Sequence, residues 1–126
     1  MEMMTNAINW FEIPVTDFER AKTFYSAIFD FVMPVMPNGA NMMGFLLHEQ
    51  GKGIGGAIVK GEGYKPTKEG VLVYLNGGSD LNIVLNRVAA AGGEVHMPKT
   101  LITPELGYFA IFYDTEGNRL ALHSMG

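Results

Sequence analysis

The stretch "WFEIPVTDFERAKTFY", residues 10–25, contains a change of hydrophobic period within a few residues. Its first part alternates, with Phe11 and Ile13 on one side and Trp10 and Glu12 on the other. Alternation with a period of two is typical of a β-strand whose two faces meet different surroundings. The stretch therefore predicts a strand that presents an indole and a carboxylate on the same face.

The second part of the stretch begins a helix. Thr16 or Asp17 is the predicted N-cap, because its side-chain oxygen can accept a hydrogen bond from a free amide of the first turn. Apolar side chains then recur at helical spacing, at Phe18, Ala21, Phe24, Tyr25 and Ile28. One face of this helix is apolar, so we expect it to pack on a sheet.

The same order of patterns occurs a second time along the chain. After residue 70 a strand pattern, "GVLVYLNGG", is followed by a helix pattern, "SDLNIVLNRVAAAGG", and then by three strand patterns. The chain therefore reads β-α-β-β-β twice, a repeat of pattern with slight sequence identity between the halves. We predict one domain of two modules, about 8–60 and about 70–124, joined by the glycine- and lysine-rich residues between them.

The composition excludes several classes of function. The 126 residues carry a net charge of −4 and no basic stripe, which argues against a nucleic-acid partner. There is no cysteine, so disulfides and thiolate chemistry are excluded. No stretch approaches the ~18 apolar residues of a membrane span, and the N-terminus lacks the pattern of a signal peptide. We expect no membrane association and a cytoplasmic location.

The two modules resemble the vicinal oxygen chelate superfamily, which includes glyoxalase I, extradiol dioxygenases, fosfomycin-resistance enzymes and bleomycin-binding proteins. The resemblance rests on residues 10–25 together with "GYFAIFYDTEGNRLALH", residues 107–123, and it is closest to the small glyoxalase-like proteins. It implies an α+β fold in which paired βαβββ modules form a curved mixed sheet with a cleft. It also implies a homodimer, in which the modules of two chains are shared or exchanged.

The metal-binding positions of the family are occupied here by residues that cannot hold a cation. By resemblance these positions fall on Trp10, near Gly56, on Gly70 or Val71, and on Ala121. Indole, hydrogen, isopropyl and methyl groups are not ligands for a divalent metal. We therefore expect neither the usual metal nor any other cofactor.

An unusual metal site is a conceivable replacement. It would require Glu12, His48 and His123 to converge from three strands. Such convergence by chance is the weaker expectation, and we predict no metal.

Two titratable side chains are candidate catalytic groups. Glu12 shares its predicted face with Trp10, and burial of a carboxylate raises its pKa, which suits a general base. The alternative is a carboxylate that is paired with a cation or solvated at the cleft mouth. His123 shares a face with Ala121 and is a candidate acid or base at neutral pH. A hydrogen-bonded or exposed histidine near the chain end explains it equally well.

Four residues are candidate substrate contacts. Trp10 and Tyr108 are predicted to supply aromatic walls, and Ala121 takes the place of a metal ligand in the cleft. In the resembling proteins the stretch around Lys99 lies at the cleft, which implies that Lys99 meets an anionic substrate group. The alternative for Lys99 is a solvated loop lysine.

Three functions are consistent with these residues. The first is a glyoxalase-like protein that lacks the usual metal ligands and binds an unidentified small molecule in an apolar cleft. The second is a metal-independent lyase or isomerase related to glyoxalase I, with Glu12 as general base and Lys99 or His123 as its electrostatic partner. The third is a dimer-forming interaction module whose cleft is filled by its own side chains.

Overall fold

The structure, a computed structural model, describes residues 3–46 and 52–126. The first module comprises β1 (Trp10–Pro14), α1 (Phe18–Phe29), β2 (Val35–Asn38), β3 (Asn41–Leu46) and β4 (Gly55–Lys60). The second comprises β5 (Tyr74–Asn76), α2 (Asn82–Leu85), β6 (Glu94–Thr103), β7 (Gly107–Tyr113) and β8 (Arg119–Ser124). The predicted order β-α-β-β-β is thus present twice.

Each module forms one four-stranded mixed sheet. The strand order is β1-β4-β3-β2 in the first sheet and β5-β8-β7-β6 in the second. In both sheets the first strand of the module pairs in parallel with the last, and the other neighbours are antiparallel. The strands β1 and β5 are therefore edge strands, and the predicted α+β class is confirmed.

The first helix forms as its pattern predicts. Asp17 is the N-cap, and its side chain accepts a hydrogen bond from the Arg20 amide at 3.0 Å. The helix ends at Asp30, which adopts a left-handed backbone conformation. The residues of the predicted apolar face are all buried: Phe18, Ala21, Phe24, Tyr25 and Ile28.

The second helix is shorter than predicted. Regular α-helix covers only Asn82–Leu85, although the pattern extends to residue 91. Several amides beyond it bond to the carbonyl three residues back, including Arg87 to Val84 and Val88 to Leu85. This tighter winding is typical of short 3₁₀-type turns. The strand predicted from residue 70 is also reduced, to Tyr74–Asn76.

One apolar cluster joins the two modules. It contains residues of α1, α2 and both sheets, so the halves share a single main core. Phe24 of α1 and Phe112 of β7 have ring centroids 6.0 Å apart across the two modules. We call the face of each sheet that is turned away from this core its outer face.

The turn between β7 and β8 connects the modules by hydrogen bonds. The Asp114 carboxylate accepts bonds from the buried Tyr25 hydroxyl (2.7 Å), from the Glu116 and Asn118 amides (2.9 Å each) and from the Asn118 side chain (3.0 Å). The same Asn118 side chain donates to the Pro14 carbonyl at 2.7 Å. The turn motif therefore has a structural role, because it joins β1 and α1 to the second sheet.

Glu116 of the same turn contacts the start of α1. Its carboxylate accepts bonds from the amides of Thr16 (3.0 Å) and Asp17 (2.7 Å) and from Arg20 Nε (2.7 Å). Amides at the start of a helix have no intrahelical partner, and the helix dipole favours an anion there. Glu116 therefore caps α1 from the other module.

Within residues 3–46 and 52–126, no helix is long and apolar enough to cross a membrane.

Candidate functional site

The outer face of the first sheet carries a cluster of aromatic side chains. Strand alternation places Trp10 on this face of β1 and Phe45 on this face of β3. Their ring centroids are 6.1 Å apart in an edge-to-face arrangement. Tyr64, from the segment that joins the modules, packs with Phe45 over the buried residues Met43, Ala57 and Val59. We call Trp10, Phe45 and Tyr64 the aromatic cluster.

Glu12 lies on the same face and is held by two members of this cluster. The Tyr64 hydroxyl donates to Glu12 Oε1 at 2.8 Å, and Trp10 Nε1 donates to Oε2 at 3.4 Å. The hydrogen bond from Tyr64 to Glu12 and the negative charge of Glu12 raise the pKa of Tyr64. Glu12 is exposed, so the burial expected for a general base is not observed. The predicted pairing of Trp10 and Glu12 on one face is confirmed.

A groove runs between the modules along the free edge of β1. It consists of two adjacent cavities of about 380 Å³ each, which share the wall residues Ile8, Phe11, Val71 and Val73. We call these two cavities the inter-module groove. One cavity continues past Tyr74, and the other continues past Glu12.

The walls of the groove are mainly apolar. The first cavity is further lined by Phe29, Leu46, Ile54, Gly55, Leu72, Tyr74, Leu75 and Asn76. The second is further lined by Glu12, Ile13, Pro14, Thr67, Glu69, Asn118, Arg119 and Leu120. The polar side chains are thus concentrated in the second cavity, where Glu12, Glu69 and Arg119 carry charges.

A glycine on β4 makes room for one wall of the groove. Gly56 pairs with Phe11, and a Cβ atom on Gly56 would lie 2.5 Å from the Phe11 ring. The absence of a side chain therefore allows the ring to lie against the sheet. Gly56 therefore accommodates a side chain of this same chain.

The second sheet holds Ala121 and His123 on its outer face. Ala121 is buried and pairs with Tyr74 on one side and Ile111 on the other. His123 Nε2 lies 2.6 Å from the Leu106 carbonyl oxygen. Because a carbonyl only accepts, this nitrogen must carry a proton and donate. The structure therefore places His123 in a local hydrogen bond, on a different sheet from Glu12.

Lys99 and Tyr108 lie together, on the other side of the second sheet. Tyr108 packs against the main core, and the Lys99 ammonium lies 4.6 Å from the centre of its ring. Lys99 also forms an ion pair with Asp80 at 2.9 Å, and this hydrogen bond is the main cause that lowers the pKa of Asp80. The structure gives Lys99 these two partners within the second module and does not place it beside Trp10 and Glu12.

The candidate metal positions do not assemble a ligand set in the described part of the chain. No three side chains of His, Asp or Glu come together there as a possible metal site. Gly56 faces Phe11 and thus the opposite side of the sheet from Trp10. His48 lies outside the described residues. The expected absence of a metal stays a prediction.

Two residues at the site were missed by reading the sequence, Phe45 and Tyr64, which complete the aromatic cluster. Val71 was named from the sequence only as a metal position of the family; it is 91% exposed and forms part of the groove. Tyr64 is the only aromatic residue in the glycine- and lysine-rich segment 61–70. An aromatic side chain in such a segment was the one feature of the sequence that could have indicated a role for Tyr64 at the site.

Comparisons with known proteins agree with this architecture. Residues 7–122 match the family model described as Glyoxalase/Bleomycin resistance protein/Dioxygenase superfamily. A glyoxylase-like domain-containing protein of Didymella fabae is 32% identical over 119 residues, which cover 91% of each chain.

Two solved structures are similar in fold. One is TnmS3, an antibiotic-binding protein from Streptomyces sp. CB03234, with a TM-score of 0.64, 22% identity and 98% of each chain covered. The other is a glyoxalase/bleomycin resistance protein from Albidiferax ferrireducens T118, with a TM-score of 0.66, 16% identity, and 94% of this chain and 98% of that chain covered. The chain belongs to the Glyoxalase/Bleomycin resistance protein/Dioxygenase superfamily, the vicinal oxygen chelate group.

Proposed function

We propose that this protein binds a small, mainly apolar organic molecule without chemical turnover in the inter-module groove. The observation that supports this most is the groove itself, because two adjacent cavities of about 380 Å³ have apolar walls and a few polar groups at one end. Sites for small molecules commonly have this size and this balance of apolar and polar groups. The name of TnmS3 describes a protein of the same fold as antibiotic-binding, which also supports a binding role.

The two other functions have less support. A metal-independent lyase or isomerase would use Glu12 as a general base, and its exposed position removes the burial on which that role rests. An interaction module would have its cleft filled by its own side chains. Among the described residues the groove between β1 and Val71–Asn76 is open.

A charge placed in the groove should weaken binding. Val71 and Val32 are both 91% exposed, and Val71 lines both cavities whereas Val32 lies in the segment after α1. We expect N-phenyl-1-naphthylamine, a neutral apolar dye, to bind saturably and to fluoresce. Val71→Glu should weaken this binding by about tenfold or more, because an apolar wall is replaced by a charge.

The matched control is Val32→Glu, which makes the same change at the same exposure and should bind the dye like the wild type. Fluorescence titration gives all three dissociation constants. Equal affinities of the two variants, or a wild type that never saturates, would show that the groove is not the binding site.

We also infer that two copies of the chain associate. The hairpin of β6 and β7 exposes the apolar side chains Leu101 (51%), Ile102 (38%) and Leu106 (57%), which a second copy would cover. Sedimentation equilibrium should therefore give the mass of two chains at about 50 µM, and Leu101→Glu should shift it toward one chain. A wild type that sediments as a single chain at this concentration contradicts the dimer.

A further inference from the structure

Glu12 has no cationic partner among the described residues, in contrast to Glu116 and Asp80. Glu116 is paired with Arg20 at 2.7 Å, and Asp80 with Lys99 at 2.9 Å. Glu12 accepts hydrogen bonds from two neutral groups, the Tyr64 hydroxyl and the Trp10 indole, and forms no ion pair with a residue that the structure describes. Its negative charge is therefore uncompensated on a face that is otherwise aromatic and apolar.

The two neutral donors orient this carboxylate without saturating it. An ionised carboxylate offers about four lone-pair positions on its two oxygens. Tyr64 occupies one on Oε1 and Trp10 one on Oε2, so each oxygen can accept a further bond. Because the Glu12 side chain is already held, it loses less conformational entropy when a ligand binds than a free glutamate side chain would.

The surroundings of Glu12 favour a cation over a neutral donor. The rings of Trp10 and Phe45 lie on the same face, and aromatic rings attract ammonium groups within ~6 Å of their faces. The chain carries a net charge of −4, which attracts cations at long range. Glu69 and Arg119 line the same second cavity as Glu12 and have opposite charges, so together they do not offset the charge of Glu12.

We infer that the ligand of the inter-module groove carries a protonated amine, which binds the Glu12 carboxylate beside Trp10 and Phe45 while the apolar body of the ligand fills the groove. This inference rests on the proposed binding function and specifies its ligand class. Glu12 belongs to the wall of the second cavity, so a short alkyl chain is enough to join the two parts of the ligand. Tyr64 is a positioning residue, because it acts through the orientation of Glu12.

Two compounds with the same apolar body test the inference: 2-(1-naphthyl)ethylamine, which is protonated at pH 7, and the neutral 2-(1-naphthyl)ethanol. Isothermal titration calorimetry should show that the wild type binds the amine about tenfold more tightly than the alcohol. Glu12→Gln should remove this preference, so that the variant binds the amine and the alcohol with similar affinity. Tyr64→Phe should reduce the preference by about threefold, since one donor that holds Glu12 is lost.

The control is Glu105→Gln, which removes one negative charge at an exposed position in the β6–β7 turn and should keep the full preference. Equal affinity of the wild type for both compounds, or a preference that persists in Glu12→Gln, would overturn the inference. In either case the groove would still be supported as a binding site if the alcohol binds the wild type saturably and does not bind Val71→Glu. The ligand class and the binding function can therefore fail separately.

Discussion

Replacing Asp114 with alanine should lower the free energy of unfolding by about 3–5 kcal/mol. Asp114 is 5% exposed, and its carboxylate accepts four hydrogen bonds, one of them from the buried Tyr25 hydroxyl. Desolvation raises the pKa of Asp114, so burying the charge is itself unfavourable. Truncation is nevertheless costly, because the Tyr25 hydroxyl and the Asn118 amide group lose their acceptor in a buried turn.

Urea unfolding of the wild type, Asp114→Ala and Tyr25→Phe measures this effect. Tyr25→Phe removes a single donor and should cost about 1–2 kcal/mol. The double variant should be less destabilised than the sum of the two, since both changes remove the same bond. A loss below about 1 kcal/mol for Asp114→Ala would mean that water replaces the carboxylate in the turn.

Replacing Glu116 with glutamine should destabilise the protein by about 1–2 kcal/mol at neutral pH, and this difference should disappear in acid. The Glu116 side chain is shielded from solvent and accepts bonds from Arg20, Asp17 and Thr16. Burial disfavours its charged form, but these bonds more than offset that and lower the pKa of Glu116 to about 2. The expected loss of stability is smaller than the free energy that corresponds to the full pKa shift, because Arg20 is half exposed and solvent screens the ion pair.

The pH dependence follows from the direction of this shift. A carboxyl whose pKa falls from 4.5 to about 2 on folding stabilises the folded state above pH 4.5. That contribution is lost as the pH falls from about 4.5 toward about 2, because in this range the unfolded chain binds a proton at this carboxyl and the folded protein does not yet do so. Thermal unfolding at several pH values should show the wild type and Glu116→Gln converging in this window.

Glu19→Gln is the matched control for this experiment. Glu19 is also acidic and lies in the first turn of α1, but it is exposed. Its replacement should change the free energy of unfolding by about 0.5 kcal/mol or less. A constant difference between wild type and Glu116→Gln down to pH 2 would show that Glu116 acts through shape and not through charge.

The parts of the fold that were predictable are those governed by local pattern. Helix α1 has an N-cap and five apolar residues at helical spacing, and all five are buried as predicted. Strand β1 alternates, so Trp10 and Glu12 could be assigned to one face before their contact was known. The shortening of α2 could not be read in the same way, because apolar spacing does not distinguish an α-helix from a run of 3₁₀-type turns.

Lys99 shows where counting along a strand fails. Strand β6 is ten residues long, and its register against β7 shifts between Val95 and Met97 and again between Met97 and Thr100. Each such irregularity disturbs the alternation of faces, so the side of the sheet on which Lys99 lies does not follow from its position in the sequence. The structure places it over Tyr108 and beside Asp80.

Residues 10–25 and 107–123 carried the resemblance to the family, residues 10–25 and the pattern that restarts at residue 70 predicted the repeated βαβββ order, and alternation in β1 predicted the shared face of Trp10 and Glu12. These features depend on periodicity and short-range motifs. The neighbours of Glu12 depended on the folded chain. Phe45, Tyr64 and Val71 come from separate segments and meet β1 through the pairing of β3 with β4 and the path of the chain between the modules. The register between distant strands and the path of a connecting segment are set by long-range packing, which no local pattern encodes.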